Sequence, residues 1–301
     1  MGRSLRIPGL IDLVQADTRP EIRGLADDAR LDRKFELRGP LINRLLVLRI
    51  RSVMRLAGVP LPSVAPRDDA RRMHAQEELR RRLDPAAGKP LWDEDTIDAL
   101  VGAVRGAPGA PPLGPAAQQA VGRLFAADYK GTPQSWAAAG TLDAAVHTRN
   151  PLQAIFLHLS GRLRRSRRLL ADLVHGDLVG VHATGIAVHN LVRGFERMRE
   201  LWNEPRWRSP AAADAVVEQC VFAPPSVLRQ ATMPGATVCG AVRAGTLVVL
   251  ELEAARERAA GRDVEFLLGN WAECPAAAFV PALLQAVWKR AIAVPASEAV
   301  S

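Results

Sequence analysis

The spacing of apolar residues along the chain predicts a protein built mostly from α-helices. Residues 41–56 carry arginines that leave one apolar face, which favours a half-buried helix over the alternative of a helix lying on a membrane surface. The same spacing predicts helices at 68–83 and 93–105, and Asp93 or Asp95 can cap the second of these. Further helices are predicted at residues 116–128, 133–146, 151–159, 167–201, 211–222 and 276–290.

One segment has a pattern typical of β-structure. Residues 236–250 are rich in β-branched residues interrupted by glycine, which predicts a small hairpin with its turn near residues 243–245. Residues 106–115 are dominated by glycine and proline and predict a flexible linker or surface loop. The expected fold class is therefore mainly α, with a small β-hairpin region near the C-terminal third.

The charge and cysteine content of the chain argue against several classes of function. The chain has 301 residues and a net charge of +8, but only four of its 40 basic residues are lysines, so arginine usage explains the charge better than nucleic-acid binding does. Its three cysteines lack C-x-x-C spacing, which excludes a disulfide framework and a cysteine-based zinc module. With no secretory signal and no membrane-spanning run, a cytoplasmic protein with no membrane and no nucleic-acid partner is expected.

A resemblance appears in the order of motifs in the last third of the chain. Val216–Pro225, Arg229 and Gly240–Val248 resemble the cytochrome P-450 run from the E-x-x-R helix through a proline pair to the hairpin. Phe266–Ala276 resembles that family's F-G-x-G-x-H-x-C-x-G loop. The resemblance implies a compact cytochrome P-450-like fold with heme b as cofactor, formed by residues 1–301 as one shortened domain.

The resemblance places Cys274 on the heme iron as the axial thiolate, with Gly269 and Trp271 in the same cofactor-binding loop. Such a thiolate pushes electron density onto iron and favours O–O cleavage. Because Pro275 is a favoured first helical residue, a helix is expected to begin directly after the cysteine and to stabilise its negative charge. The alternative is an inert, buried cysteine that behaves as a small hydrophobic residue.

The resemblance also supplies partners for the heme propionates. Arg229 stands where the family has a propionate-binding arginine, since a planar guanidinium suits a carboxylate. A solvated surface arginine is the alternative. Aligning Leu79 and Arg80 with the family's H-x-x-x-R helix gives Arg80 the second propionate and puts Gln76 at the histidine position, with His74 two residues earlier.

Several positions depart from the family pattern. Val221 replaces the arginine of E-x-x-R, and the segment that leads to the cysteine is compressed to residues 256–265. The loop has one extra residue between Gly269 and Cys274. The oxygen-activating helix has Thr184 with no acid beside it, and places His182 nearby on a stripe with His175 and His189. These histidines are spaced by two helical turns, too far apart to share one metal ion.

His182 and Thr184 are the candidate catalytic residues near the distal face of a heme. A histidine bonded to a nearby carbonyl, or a threonine bonded back to its own helix, is the alternative for each. The basic cluster at residues 162–168 is either a solvated face or a docking site for an acidic, ferredoxin-type redox partner.

Together these features predict a heme-thiolate protein that oxidises a small organic substrate with peroxide, or with dioxygen and a redox partner. The alternative is a catalytically silent relative that senses or carries heme, or a heme-free interaction scaffold, so enzymatic activity stays open. Signatures of P-loop and dinucleotide-binding proteins, serine hydrolases and zinc proteases are absent from the sequence.

Overall fold

A computed structural model describes residues 2–87, 91–148, 150–258 and 262–293. The chain forms two compact units, and the boundary between them first falls within a helix, after Glu78. Unit 1 contains the residues up to Glu78 together with Ala223–Ala277, and unit 2 contains the rest. The described helices are α1 (Arg19–Asp27), α2 (Leu41–Val53), α3 (Ala70–Arg82), α4 (Glu94–Arg105), α5 (Leu113–Gly122), α6 (Pro133–His147), α7 (Pro151–Leu159), α8 (Arg162–Leu173), α9 (Leu178–His182), α10 (Val188–Trp202), α11 (Ala213–Cys220), α12 (Leu252–Arg258), α13 (Arg262–Glu265) and α14 (Phe279–Ala293).

Unit 1 is organised around a five-stranded sheet with the order β1-β2-β9-β6-β3. In it, β2 and β9 are parallel, whereas every other neighbouring pair is antiparallel. Two small two-stranded sheets, β4-β5 and β7-β8, accompany it. The strands are β1 (Arg3–Ile7), β2 (Ile11–Ala16), β3 (Leu31–Asp32), β4 (Arg55–Leu56), β5 (Val59–Pro60), β6 (Val227–Ala231), β7 (Gly235–Thr237), β8 (Gly240–Val242) and β9 (Leu247–Leu250).

The sheet is fixed to α2 by a buried amide. The Asn43 side chain donates to the carbonyls of Asp12 at 2.7 Å and Gly245 at 2.9 Å, and its own oxygen accepts the Asp12 N–H. Thr246 then donates to the Asp12 carboxylate at 2.6 Å. Because buried polar groups are costly unless they are paired, this network specifies one position of α2 against β2 and β9.

Unit 2 is helical, and α10 packs against α4, α5, α11 and α14. The buried face of α10 includes Phe195 and Met198 at the usual helical spacing. Gly194 permits the close contact with α11, since a Cβ there would lie 2.4 Å from the carbonyl oxygen of Cys220. Residues Ala183–Ala187 form a π-helical turn between α9 and α10. Such turns interrupt regular helix geometry and often occur at functional sites.

The predicted helices are confirmed in type, and α7 has the predicted bounds. Asp93 caps α4 by accepting the Thr96 N–H at 2.7 Å. The region predicted as one helix at residues 167–201 is divided into α8, α9, the π turn and α10. The predicted loop at residues 106–115 is too long, because α5 begins at Leu113. Proline at position 115 is compatible with this start, since the first helical turn needs no donated N–H from it.

The prediction that only residues 236–250 form strands is wrong, because unit 1 also has β1 to β6. The predicted hairpin exists, but it pairs β7 with β8 and turns at residues 238–239. Thr237 closes that turn by donating to the Gly240 carbonyl and accepting the Cys239 N–H. The turn at residues 243–245 leads instead to β9, which pairs with β2 and β6.

Candidate cofactor site

Cys274 ends a loop whose two ends are joined by a backbone hydrogen bond. Its N–H donates to the carbonyl of Phe266 at 2.9 Å. Within the loop, Leu267 and Gly269 have φ of +50° and +74°, a region that favours glycine and is strained for leucine. The Gly269 N–H donates to the Glu273 carboxylate at 2.7 Å. Two residues with a left-handed backbone conformation, Leu267 and Gly269, thus turn the chain within the loop.

The helix expected directly after Cys274 is not formed there, and that prediction is wrong. Residues 275–278 are a turn in which the Ala277 N–H donates to the Cys274 carbonyl, and α14 begins only at Phe279. Cys274 is half-buried. No helix N–H groups directly after Cys274 are therefore available to stabilise a thiolate there, and neighbouring side chains would have to do so.

Trp271, in the same loop, lies within a group of four arginines, here called the arginine cluster. The guanidinium carbons of Arg33, Arg67, Arg72 and Arg229 lie 5.4, 5.6, 4.9 and 5.1 Å from the centroid of its ring. Cations attract the face of an indole at such distances. The Trp271 ring nitrogen itself donates to the Ala26 carbonyl at 3.1 Å, which fixes the ring in place.

Arg229 is fully buried on β6, so the alternative of a solvated surface arginine is wrong. One terminal nitrogen donates to the Leu228 carbonyl at 3.1 Å, whereas Nε and Nη2 have no hydrogen-bond partner. Burial and then the charge of Arg33 hold the pKa of Arg229 well below its usual value, although Asp32 opposes them. A buried cation with unpaired donors is costly, and an anion beside it would remove that cost.

Arg33 is subject to the same forces. Burial, and then the charge of Arg72, lower the pKa of Arg33 to about 10, while a charge on Cys274 acts to raise it. Asp32 adds some compensation, but its Oδ1 already accepts the backbone N–H groups of Arg33 and Arg67. The cluster is therefore electropositive, and a charge on Cys274 would interact with Arg33, one of its members.

Helix α3 contributes two side chains that contact the cysteine loop. Arg72 donates to the Trp271 carbonyl at 3.1 Å and also to Gln76, which in turn donates to the Glu273 carbonyl at 2.7 Å. Arg72 and Gln76 are four residues apart and share one face of the helix. His74 is exposed and Arg80 is half-buried on the same helix. Gln76, which the alignment puts at the family's histidine position, thus contacts the cysteine loop.

A buried ion pair braces the segment that leads to the cysteine loop. Arg256 of α12 lies 2.8 Å from the Glu265 carboxylate of α13, and the Glu265 side chain is only 3% exposed. This is the segment that the sequence marks as compressed, in a chain where Val221 replaces the arginine of E-x-x-R. An ion pair within the segment now holds its two helices together.

In unit 2, Thr184 lies in the π turn and is fully buried. Its hydroxyl donates to the Gly180 carbonyl at 2.8 Å, the back-bonded arrangement, and its carbonyl accepts from Gln118. His182 is half-buried at the end of α9. Burial raises the pKa of Tyr129 to about 12, although hydroxyls of Thr184 and Ser135 beside it act in the opposite direction.

The structure therefore groups some predicted site residues and adds others. Trp271 and Arg229 come together beside the loop of Gly269 and Cys274. Sequence reasoning missed the arginines at positions 33, 67 and 72, and Arg72 had one usable signal, its i, i+4 spacing from Gln76. Among the residues that the structure describes, no three His, Cys, Asp or Glu side chains are placed to hold a metal ion. The unpaired donors of Arg229 are groups that an anion could pair with.

Comparisons with known proteins bear on the fold. A cytochrome P450 from Mycobacterium smegmatis with econazole bound shares 17% identity, with a TM-score of 0.63 over 96% of this chain and 86% of that one. The P450 RauA, complexed with a biosynthetic intermediate of aurachin RE, gives a TM-score of 0.61 at 12% identity over 93% and 83%. CxnD, a P450 for C–S bond formation in chuangxinmycin biosynthesis, gives 0.59 at 14% over 97% and 84%.

No family model and no curated protein sequence matches the chain. The structural likeness is nevertheless extensive, and this chain has a divergent cytochrome P450-like fold. The fold class and the family resemblance deduced from the sequence are confirmed. Each described helix is too short or too polar to cross a bilayer.

Proposed function

We propose that the protein is a heme-thiolate protein, with Cys274 as the axial ligand of the iron. The observation that carries the proposal is Arg229, a fully buried guanidinium with two unpaired nitrogens, within an electropositive cluster beside the cysteine loop. Heme b presents two propionates, which are the anions such donors would recognise. The P450-like fold supports the same cofactor.

The residues present fit that cofactor in charge and in donor chemistry. Arg229 would hold one propionate through Nε and Nη2, the atoms that lack partners. Arg33 would help to keep the Cys274 sulfur ionised, since a charge on that sulfur and the charge of Arg33 stabilise one another. Gly269 and Trp271 shape the loop, while Arg80 and His74 stay as propionate partners proposed from the resemblance. Bound heme would supply oxidation of a small organic substrate.

The protein's own groups favour peroxide as the oxidant over dioxygen with a ferredoxin-type partner. Proton delivery to dioxygen in the family needs an acid next to the alcohol, and no acid adjoins Thr184. The Thr184 hydroxyl already donates to the Gly180 carbonyl. His182 is the remaining candidate for moving a proton at its ring nitrogens, and peroxide arrives with its protons in place.

The test is an absorption spectrum of the purified protein after heme addition, before and after reduction under carbon monoxide. A thiolate-type Soret band is expected for the wild type and for Cys239→Ala, the matched control, but not for Cys274→Ala. Arg229→Met is expected to weaken heme binding about thirtyfold while keeping the thiolate band, because it removes a charge-assisted bond but not the ligand. A colourless wild type that takes up no heme would contradict the proposal.

A second candidate is a heme-free interaction scaffold, and one observation favours it. The Trp271 ring already lies against four guanidinium groups, so part of the cluster's charge is stabilised without a cofactor. This candidate predicts that heme leaves the unfolding temperature unchanged. A heme-dependent rise in the unfolding temperature that is lost in Arg229→Met would exclude it.

A further inference from the structure

The helical pair α7–α8 in unit 2 exposes large apolar side chains that take no part in the proposed cofactor site. Leu152, Phe156 and Leu159 of α7 are 74%, 54% and 82% exposed. Their i, i+4, i+7 spacing places them on one stripe of the helix. Exposed apolar stripes of this kind mark contact surfaces, because isolated leucines are common on protein surfaces but aligned ones are not.

The same pair of helices is strongly basic. Residues 150–171 contain five arginines and no aspartate or glutamate. Arg162, Arg164, Arg165 and Arg168 are exposed on α8, whereas Leu163 and Leu170 are buried on its other face. In the part of the chain that the structure describes, none of these four arginines forms an ion pair.

The apolar and basic groups belong to one surface. Helix α7 packs against α8, and the guanidinium carbon of Arg162 lies 5.3 Å from the centroid of the Phe156 ring. Arg165 also donates to the carbonyl of Ser160, in the turn that joins the two helices. An occupant of this surface would therefore meet arginines and apolar side chains together.

We propose that α7–α8 binds an anionic lipid surface. Leucine and phenylalanine side chains on one stripe can enter the boundary between headgroups and acyl chains, and flanking arginines can contact lipid phosphates. An acidic protein partner, the alternative suggested by the sequence, would use the arginines but leave the apolar stripe without a role. The contact is peripheral, and it revises the expectation that no membrane interacts with this protein.

Unit 1 offers a matched control surface. On α2, Leu41, Leu45 and Leu48 have the same i, i+4, i+7 spacing and are 49%, 55% and 49% exposed. Their replacement by serine removes a stripe of the same kind. Because α2 also carries arginines, this variant tests which of the two helices makes the contact. All six side chains project from the core, so the folded state should tolerate both triple substitutions.

The experiment is co-sedimentation of the full-length protein with vesicles of phosphatidylserine and phosphatidylcholine in equal amounts, and with vesicles of phosphatidylcholine alone. We expect binding to the anionic vesicles only, weakened by salt. The variant Leu152→Ser/Phe156→Ser/Leu159→Ser should lose binding, and Arg164→Gln/Arg165→Gln should weaken it at least tenfold. The α2 triple variant should bind like the wild type. Thermal unfolding verifies that each variant is folded.

Three results would overturn the proposal. The first is a wild-type protein that stays in the supernatant with anionic vesicles, including one that instead binds an immobilised acidic ferredoxin. The second is equal binding to both kinds of vesicle, since the arginines would then have no role. The third is loss of binding in the α2 variant as large as in the α7 variant. None of these results depends on heme, so the proposed cofactor function is tested separately.

Discussion

The arginine cluster of unit 1 and the π turn of unit 2 differ in the charge of their buried polar groups. In unit 1 the arginine cluster keeps Arg229 buried with unpaired donors among charges of the same sign. Around the π turn of unit 2 the buried groups are neutral. Gln118 donates to the carbonyls of Ser135 and Thr184 and accepts from the Ser135 hydroxyl, and burial raises the pKa of Tyr129 to about 12, which keeps its hydroxyl protonated.

The difference separates a region that gains from binding an anion from a region whose buried amide is paired and whose buried groups are neutral. A buried charge without a counter-ion costs free energy that only a bound anion can recover, whereas a paired amide network gains nothing from a ligand. Energetically unfavourable arrangements of this kind are concentrated at functional sites. The arginine cluster is therefore the better candidate for binding the anionic groups of the cofactor.

The largest expected effect comes from the ionic brace of unit 1. Glu265→Gln removes the buried carboxylate that pairs with Arg256 and should lower the free energy of unfolding by about 3–5 kcal/mol, measured by urea denaturation. The control is Asp98→Asn in unit 2, which breaks the exposed pair with Arg290 and should cost less than about 1 kcal/mol. Equal losses in the two variants would show that the buried position of Glu265 has no special weight.

A pair of polar-to-apolar substitutions tests the contrast directly. In the heme-free protein, Arg229→Met should raise the free energy of unfolding by about 1–3 kcal/mol, because it removes an uncompensated buried charge. Gln118→Met should lower it by about 2–3 kcal/mol, because three buried hydrogen bonds are lost. Destabilisation by Arg229→Met of the same size as by Gln118→Met would remove the distinction between the two regions.

The smallest effect concerns pH. Burial lowers the pKa of His189 below 6.5, although Asp143 acts in the opposite direction. The unfolded chain therefore takes up a proton at a higher pH than the folded protein does, and the free energy of unfolding falls as the pH drops through about 6.5. His189→Phe keeps an aromatic ring against Trp136, whose ring lies at 4.5 Å, and should flatten this slope.

Denaturation curves between neutral and mildly acidic pH measure this difference. The exposed His74 provides the control variant, His74→Gln, which should keep the wild-type slope. A slope that survives in His189→Phe would mean that other groups produce the acid sensitivity of unit 2.

Helices were predictable from the sequence because their signals are local. Asn150 caps α7 through its side chain, Thr132 and Ser135 form a capping box at α6, and an apolar face follows each start. The strands of the N-terminal region were missed for a physical reason. Strand β1 is exposed along its whole length, and the buried positions of β2 include Asp12. Neither strand has the apolar alternation that distinguishes a strand in sequence.

The site was predictable only where a motif marks it. Arg229 and Trp271 lie in segments that resemble known motifs, and their grouping fits that resemblance. Arg33 and Arg67 lie in no such motif. An arginine by itself is no signal in a chain where 36 of 40 basic residues are arginine. Which arginine is buried depends on long-range packing of residues 33, 72 and 229, and no local pattern encodes that contact.

The bond between Phe266 and Cys274 gives the cysteine loop fixed ends and an adjustable interior. Closing a loop costs little more when its length grows by one residue, so an insertion can be absorbed inside it while the backbone at Cys274 keeps its position. Residues between positions 266 and 274 can therefore change in identity or number while the bond between Phe266 and Cys274 keeps the two ends of the loop together.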